Sequence, residues 1–277
     1  MLRFISFGSG SSGNCYYLFT ETDGLMIDVG LGLRGLKKWF ADYGLSLSSV
    51  RNIIVTHDHA DHVKSVGSMS YKYNLPVYAT AMVHEGIERN YVVHHKIDKS
   101  LKRFVRKGVT TQVGEFGVTP FDVPHDSVDH VGYCIEHGGV TFCLITDVGM
   151  VTDVVASYIA RADYLVMEAN HDVRMLLAGK YPEFLKRRIM GGRGHLSNDA
   201  CAAAVAANMS PRLRMVWLCH LSQENNIPEL AQKTVEDALN RRGAAATKVF
   251  VLKRRSPSRI FCLQPQNPSP VLADELG

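Results

Sequence analysis

The chain has 277 residues, 46% of them hydrophobic and 21% charged. This composition excludes an extended disordered chain and a fibrous repeat, and a chain of this length can bury a substantial core without covalent staples. The formal net charge of +4 suits an anionic substrate without requiring one.

From the N-terminus, residues 3–7, 15–20 and 25–28 are short apolar runs divided by Gly and polar turns, which predicts strands. Residues 31–43 place Leu33, Leu36 and Phe40 on one helical face. A buried strand is expected at 51–56, then a helix after His62 that ends near Asn74, before Pro76. Residues 109–113, 116–123, 131–137 and 140–146 predict a run of strands, with Gly138-Gly139 as a hairpin turn. A helix (151–160), a strand (164–168), a helix opening near Ser197, a strand (214–219) and a helix (228–241) follow. Strands at 247–252 and 259–263 come last, joined through Ser256-Pro257-Ser258. No repeat or linker divides the chain. The expectation is one mixed α/β domain over 1–263, two packed sheets covered by helices, and a loose Pro-containing tail over 264–277.

No run approaches the roughly 18 consecutive apolar residues of a membrane span. The first residues lack the apolar core and small-residue cleavage site of a signal peptide. The six cysteines are scattered, with no CxxC, and read as buried thiols in a reducing compartment. A cytoplasmic protein without membrane contact is expected; the oligomeric state is not legible.

The chemistry concentrates in Thr56-His57-Asp58-His59-Ala60-Asp61-His62, directly after a predicted strand. While the backbone stays extended, His57 and His59 point the same way. Asp61 and His62 lie past the bend, so one pair can serve one ion and the next pair a second. Imidazole and carboxylate suit Zn²⁺, Mn²⁺ or Fe, and the lack of a thiolate argues against a purely structural zinc site. A His-rich surface loop is the bland alternative, but three histidines and two aspartates in six positions would then need a special cause.

His57-x-His59-x-Asp61-His62 resembles the signature of the metallo-β-lactamase superfamily, and the likeness extends over most of the chain. Asp28 in Leu25-Met26-Ile27-Asp28, His125 in Val123-Pro124-His125, Asp147 in Leu144-Ile145-Thr146-Asp147 and His220 in Leu218-Cys219-His220 fall at the strand ends where the family carries its other motifs. The resemblance implies a four-layer αββα sandwich with a two-metal site at one sheet edge, holding Zn²⁺ or Mn²⁺. It implies that His57, His59 and His125 bind one ion, that Asp61, His62 and His220 bind the other, and that Asp147 bridges them. Phe7-Gly8-Ser9-Gly10-Ser11-Ser12-Gly13-Asn14-Cys15, Glu168-Ala169-Asn170-His171-Asp172, Gly194-His195-Leu196-Ser197-Asn198 and His220-Leu221-Ser222-Gln223-Glu224 are similar to the YycJ (WalJ) branch. That branch implies a 5′–3′ DNA exonuclease acting on a nucleic acid, DNA first. Gly194-His195 and His220-Leu221-Ser222 also resemble RNase Z and cyclic phosphodiesterases. All cleave phosphodiesters, with water activated between the metals.

Asp61 and His195 are the candidate catalytic residues. His195 precedes Ser197, an expected helix N-cap, and a helix N-terminus favours an anion. Asp28 reads as a support that holds loop N–H groups or a metal-bound imidazole. Asn170, His171 and Ser197 are candidate substrate or supporting residues, and His130 competes with His125 as the third-motif ligand. Gly8-x-Gly10-x-x-Gly13 matches a dinucleotide fingerprint, but strand-like residues follow where a helix should open. The basic runs at 96–107, 186–188 and 253–255 are solvated faces or phosphate contacts. An acyl, thioester or lactone hydrolase on the same fold, or a metal-bound regulatory protein without turnover, are the rival readings.

Overall fold

A computed structural model of the chain describes residues 1–265. In the first half, strands β1 (Leu2–Gly8), β2 (Cys15–Phe19), β3 (Gly24–Ile27), β4 (Asn52–Ile54), β5 (Val77–Ala79) and β6 (Lys102–Phe104) build one sheet. Helices α1 (Leu33–Asp42), α2 (Ala60–Val63), α3 (Val66–Tyr73) and α4 (Ala81–Arg89) lie in its connections. The second half builds the other sheet from β7 (Thr111–Val113), β8 (Phe116–Asp122), β9 (Val131–His137), β10 (Val140–Ile145), β11 (Tyr164–Glu168), β12 (Met215–Cys219) and β13 (Lys248–Val251). Its helices are α5 (Asp153–Arg161), α6 (Val173–Ala178), α7 (Glu183–Met190), α8 (Asn198–Asn208) and α9 (Pro228–Arg241). The last strand, β14 (Phe261–Leu263), crosses back to the first sheet and pairs antiparallel with β1, Phe4 opposite Phe261.

The two sheets share one logic. Each runs antiparallel at its start (β1–β3, β7–β10) and parallel afterwards (β3–β6, β10–β13). Parallel strands deliver their carboxyl ends to one edge, where α/β sheets place their ligands. The central strands are apolar on both faces because each sheet is covered twice. In β2, Cys15, Tyr17 and Phe19 face the helices while Tyr16 and Leu18 face the other sheet.

Between the sheets, Trp217 packs 4.6 Å from Phe4 and 5.0 Å from Phe261, ring centre to ring centre. Trimming such a fully buried indole to Ala costs about 3–5 kcal/mol. On the outer face of the first sheet, Leu36 and Phe40, one turn apart on α1, meet Ile5, Phe7 and Tyr17. On the outer face of the second, α5, α8 and α9 bury Val155, Ile159, Val205 and Val235. The layers run αββα, as the family likeness implied.

Several elements differ from the sequence expectations. β5, α4, β6, α6 and α7 were not expected, because three-residue strands and helices of six to nine residues, one carrying Gly86 and two bounded by Gly179 and Pro182, are too short for a periodic signal. Gly8-x-Gly10-x-x-Gly13 leads into strand β2 rather than a helix, which removes the dinucleotide reading. Gly138 and Gly139 turn the β9–β10 hairpin with φ of 55° and 76°, as expected. Cys262 is exposed while the other five cysteines are buried and free. Of the expected loose tail, residues from 266 on lie outside the described ones. Gln264 is tied to the Tyr164 hydroxyl, its N–H donating at 3.0 Å. Among the described residues no helix is long and apolar enough to cross a membrane.

Candidate metal centre

The carboxyl ends of β3, β4, β8, β10, β11 and β12 converge at one sheet edge, where Asp28, His57–His62, His125, Asp147 and His220 follow their strands and Glu168 is the last residue of β11. Asp28, Asp147 and His220 each turn off their strand in the left-handed region, with φ of 57°, 51° and 53°. Side chains other than Gly pay for that conformation, and here it turns three functional groups inward at strand ends. Gly30 fixes the next turn: a Cβ there would stand 1.6 Å from the Asp61 carbonyl oxygen, so only glycine lets β3 approach α2 this closely.

Seven of the residues read as ligands come together. Ligand atoms of His57, His59 and His125 lie within 4.8 Å of one another, as do those of Asp61, His62 and His220. Asp147 sits between the groups, 3.2 Å from His62 Nε2, 3.4 Å from His220 Nε2 and 3.9 Å from His125 Nε2. His57 Nε2 is buried with no hydrogen-bond partner, and His59 Nδ1 faces His125 Nε2 at 3.4 Å. An orphaned imidazole nitrogen beside converging ring nitrogens and carboxylates is costly unless a cation completes it. The donor set fits divalent ions of the Zn²⁺ or Mn²⁺ kind.

The ring atoms turned away from this cage are held. His125 Nδ1–H donates to the Gly194 carbonyl at 3.1 Å, which leaves Nε2 for the cage. His62 Nδ1–H donates to Asp28 Oδ2 at 2.7 Å, and Asp28 also accepts from the Thr56 N–H and hydroxyl, each at 2.8 Å. Asn14 links the Gly/Ser loop to the cage, with its amide nitrogen 2.8 Å from His62 Nε2 and its Oδ1 accepting the Gly10 N–H.

The electrostatics follow from charges packed in a largely buried site. Burial opposes ionisation of Asp61, but His62 and then His220 outweigh it and hold the carboxyl at about 2. Burial likewise disfavours a charged His62, but Asp147, Asp28 and Asp61 raise it to about 10. His57 moves the other way: burial, reinforced by the neighbouring imidazoles, pushes it well below the usual histidine range.

Glu168 entered the sequence reading only within a motif of the family likeness, without a site role, and it organises the rim. Its Oε1 accepts from His195 Nδ1 at 2.8 Å and from His220 Nδ1 at 3.1 Å, while Oε2 takes the Val148 N–H at 2.8 Å and the Leu196 N–H at 3.2 Å. Burial works against ionised Glu168, but His195 and His220 keep it below the usual carboxylate range. His195 Nδ1 lies 3.8 Å from Asp147, and the residue lines a cleft with Ser11, Asn170 and Ser222. Burial lowers the affinity of His195 for a proton, yet Glu168 reverses this and raises its pKa.

Other candidates fall outside the cage. Asn170 braces His220, its Nδ2 donating to the His220 carbonyl at 2.8 Å. Ser197 is the N-cap of α8, accepting the Ala200 N–H at 3.2 Å. His171 is buried and bridges to Ser197 through its backbone, and it joins no ligand group. His130 stacks on His57 at 4.4 Å but joins no ligand group. In the 96–107 run, Lys96 Nζ donates to the Ile87 and Asn90 carbonyls, Lys102 pairs with Glu88 and Lys107 with Asp129, so these three cations serve local structure.

The Beta-lactamase superfamily domain matches residues 25–220. The exodeoxyribonuclease YycJ of Bacillus anthracis is 34% identical over 256 residues, covering 92% of this chain and 96% of its own. The exodeoxyribonuclease WalJ of Streptococcus pneumoniae is 36% identical over 231 residues, 83% of this chain and 86% of its own. Among solved structures, Zn²⁺-bound PqqB from Methylobacterium extorquens shares the fold, with a TM-score of 0.70 at 18% identity, over 93% of this chain and 99% of that one.

Proposed function

The chain belongs to the β-lactamase superfamily and is a metal-dependent hydrolase, and we propose that it is a 5′–3′ DNA exonuclease with two divalent ions. The observation that carries the reading is the buried cage joined through Glu168 to His195 at the cleft. His57, His59 and His125 would hold one ion, Asp61, His62 and His220 the other, with Asp147 serving both. When bound, such ions lower the pKa of water from about 15.7 toward 7 and offset charge growing on a phosphoryl group.

The chain's own residues supply the rest. Glu168 occupies His195 Nδ1, so the ring keeps its proton and presents Nε2 to the cleft. From there the imidazolium donates a proton to the leaving oxygen of the phosphodiester. Asn170 holds the His220 loop, and the Ser197 cap keeps the N–H groups of α8 ordered behind the cleft. The identity of the relatives over most of their length supports DNA as substrate and the exonuclease mode.

The test compares two esters in the His195→Ala variant with metal content verified. On a dinucleotide, whose leaving alkoxide needs a proton, kcat falls by about 10²–10⁴. On bis(p-nitrophenyl) phosphate, whose leaving group needs none, the loss is far smaller. Equal losses on both would remove the acid role. In parallel, 5′- and 3′-labelled DNA and RNA incubated with Mn²⁺ report substrate and polarity, and an RNA preference or release from the 3′ end would contradict the proposal.

A further inference from the structure

The turn between β13 and β14 carries three successive cations, Lys253, Arg254 and Arg255. They line a pocket with Leu221, Gln223 and Glu229, the last at the start of α9. Two loops are shared between this pocket and the His195 cleft. In the Gly/Ser loop, the Ser9 N–H donates to the Lys253 carbonyl at 3.1 Å, and the Ser9 hydroxyl accepts the His220 N–H at 2.9 Å. Two residues on, Ser11 lines the cleft. In the loop after β12, Leu221 and Gln223 line the pocket while Ser222 lines the cleft. The cationic turn is therefore two hydrogen bonds from His220 of the cage, across a common wall.

The three cations are held in place without being neutralised. Gly10 lies against the Arg254 stem, where a Cβ would meet Cγ at 2.9 Å, and Arg254 Nη1 donates to the Leu221 carbonyl at 3.3 Å. Arg255 Nη2 reaches Gln223 Oε1 at 3.5 Å, and Lys253 is exposed. Burial, then the Arg255 charge, lowers the pKa of Arg254. Among the described residues no carboxylate pairs with any of the three, whereas Lys107, Lys186 and Arg188 each have one. Like charges fixed side by side repel, and a bound polyanion offsets that repulsion. Each strand of a duplex carries a phosphate about every 3.4 Å of helix axis, so DNA with its end in the cleft supplies further phosphates to the adjoining wall.

We propose that the 253–255 turn is a track for backbone phosphates, on which Lys253 and Arg255 meet DNA whose end is held in the cleft, while Arg254 anchors the turn to the Leu221 loop. The inference rests on the phosphodiesterase reading for its substrate class, and binding tests it apart from turnover. A fluorescein-labelled phosphorothioate duplex, chosen to suppress cleavage, is titrated with metal-loaded protein at several salt concentrations. The proteins are wild type, the Lys253→Gln/Arg255→Gln double variant, the charge-keeping Lys253→Arg/Arg255→Lys variant and a control, Arg241→Gln/Arg242→Gln. The control removes the same charge from an exposed pair at the other end of α9, roughly 20 Å along the helix from Glu229.

The Lys253→Gln/Arg255→Gln variant is expected to bind more weakly, with log K against log salt shallower than wild type by about 1.8, two phosphate contacts on a duplex. The charge-keeping variant and the control are expected to keep the wild-type slope. A Lys253→Gln/Arg255→Gln variant with the wild-type slope overturns the proposal. So does a control that flattens the slope as much, which would mean that overall charge rather than this turn governs binding. Wild-type protein that does not bind the duplex also overturns it and would point to an acidic protein segment on this face. Failure to hydrolyse any phosphodiester, with the difference in slope intact, would instead count against the hydrolase reading.

Discussion

Asp28 Oδ2 lies 2.7 Å from His62 Nδ1, and neither side chain has any exposure to solvent. The carboxylate fixes which nitrogen of His62 faces the cage and raises the basicity of the ring. Groups placed in this way commonly contribute 10–100-fold in metal affinity. Asp28→Ala is therefore expected to weaken binding of Zn²⁺ about 10–100-fold by competition with a chelating dye. Asp28→Asn, which keeps an acceptor oxygen, should lose less. If Asp28→Ala binds metal as wild type does, the carboxylate serves only the Thr56 loop.

Glu168 accepts four hydrogen bonds, two from imidazoles and two from backbone N–H groups. Removing it strands all four donors in a buried site. Glu168→Ala should destabilise the fold by about 3–5 kcal/mol in urea unfolding, because an uncompensated buried charge remains on the partner side. Glu168→Gln keeps the shape and should lose much less stability while lowering kcat. Near-equal stability of the Ala variant and wild type would contradict the four-bond account.

A pH effect on stability is expected from His84 on α4, far from the cage in sequence. Its Nε2–H donates to the Arg103 carbonyl at 3.0 Å and its Nδ1 is buried without a partner. Burial lowers its pKa below the usual value of 6.5, against the weaker pull of the Arg103 carbonyl. Below that value the unfolded chain binds a proton that the folded chain resists, so stability is fully present above about pH 6.5 and falls as the solution is acidified. In urea midpoints between pH 7.5 and 5, His84→Gln should show a smaller acid loss than wild type. An identical acid loss in both proteins would show that other groups account for it.

The strand ends and the His57–His62 cluster were legible because extended runs and ligand spacing are local signals. The later ligands were placed by family likeness and chain order, and the strand registers show why they meet. Glu168 pairs in register with Cys219, one residue before His220, and β10 ends alongside β11. That same register hid Glu168 itself, since one acid at the end of a buried strand resembles an ordinary strand terminus. His84 has no ligand-spaced partner in the sequence, and its burial on α4 against Phe104, 5.1 Å between rings, comes from a three-residue strand that leaves no periodic trace. The basic run at 96–107 shows the converse case: charge is legible, but the partners that consume Lys96, Lys102 and Lys107 come from elsewhere in the fold.

The claim on which the rest depends is that the cage takes a pair of divalent ions. Calorimetric titration of chelator-stripped protein with Zn²⁺ or Mn²⁺, alongside His220→Ala and His59→Ala, addresses it most directly. The account predicts about two ions per chain for the wild type and about one for each variant, with phosphodiester cleavage returning as the second ion is added. Stripped, folded protein that takes up no ion, or that cleaves phosphodiesters at full rate in excess chelator, would contradict it.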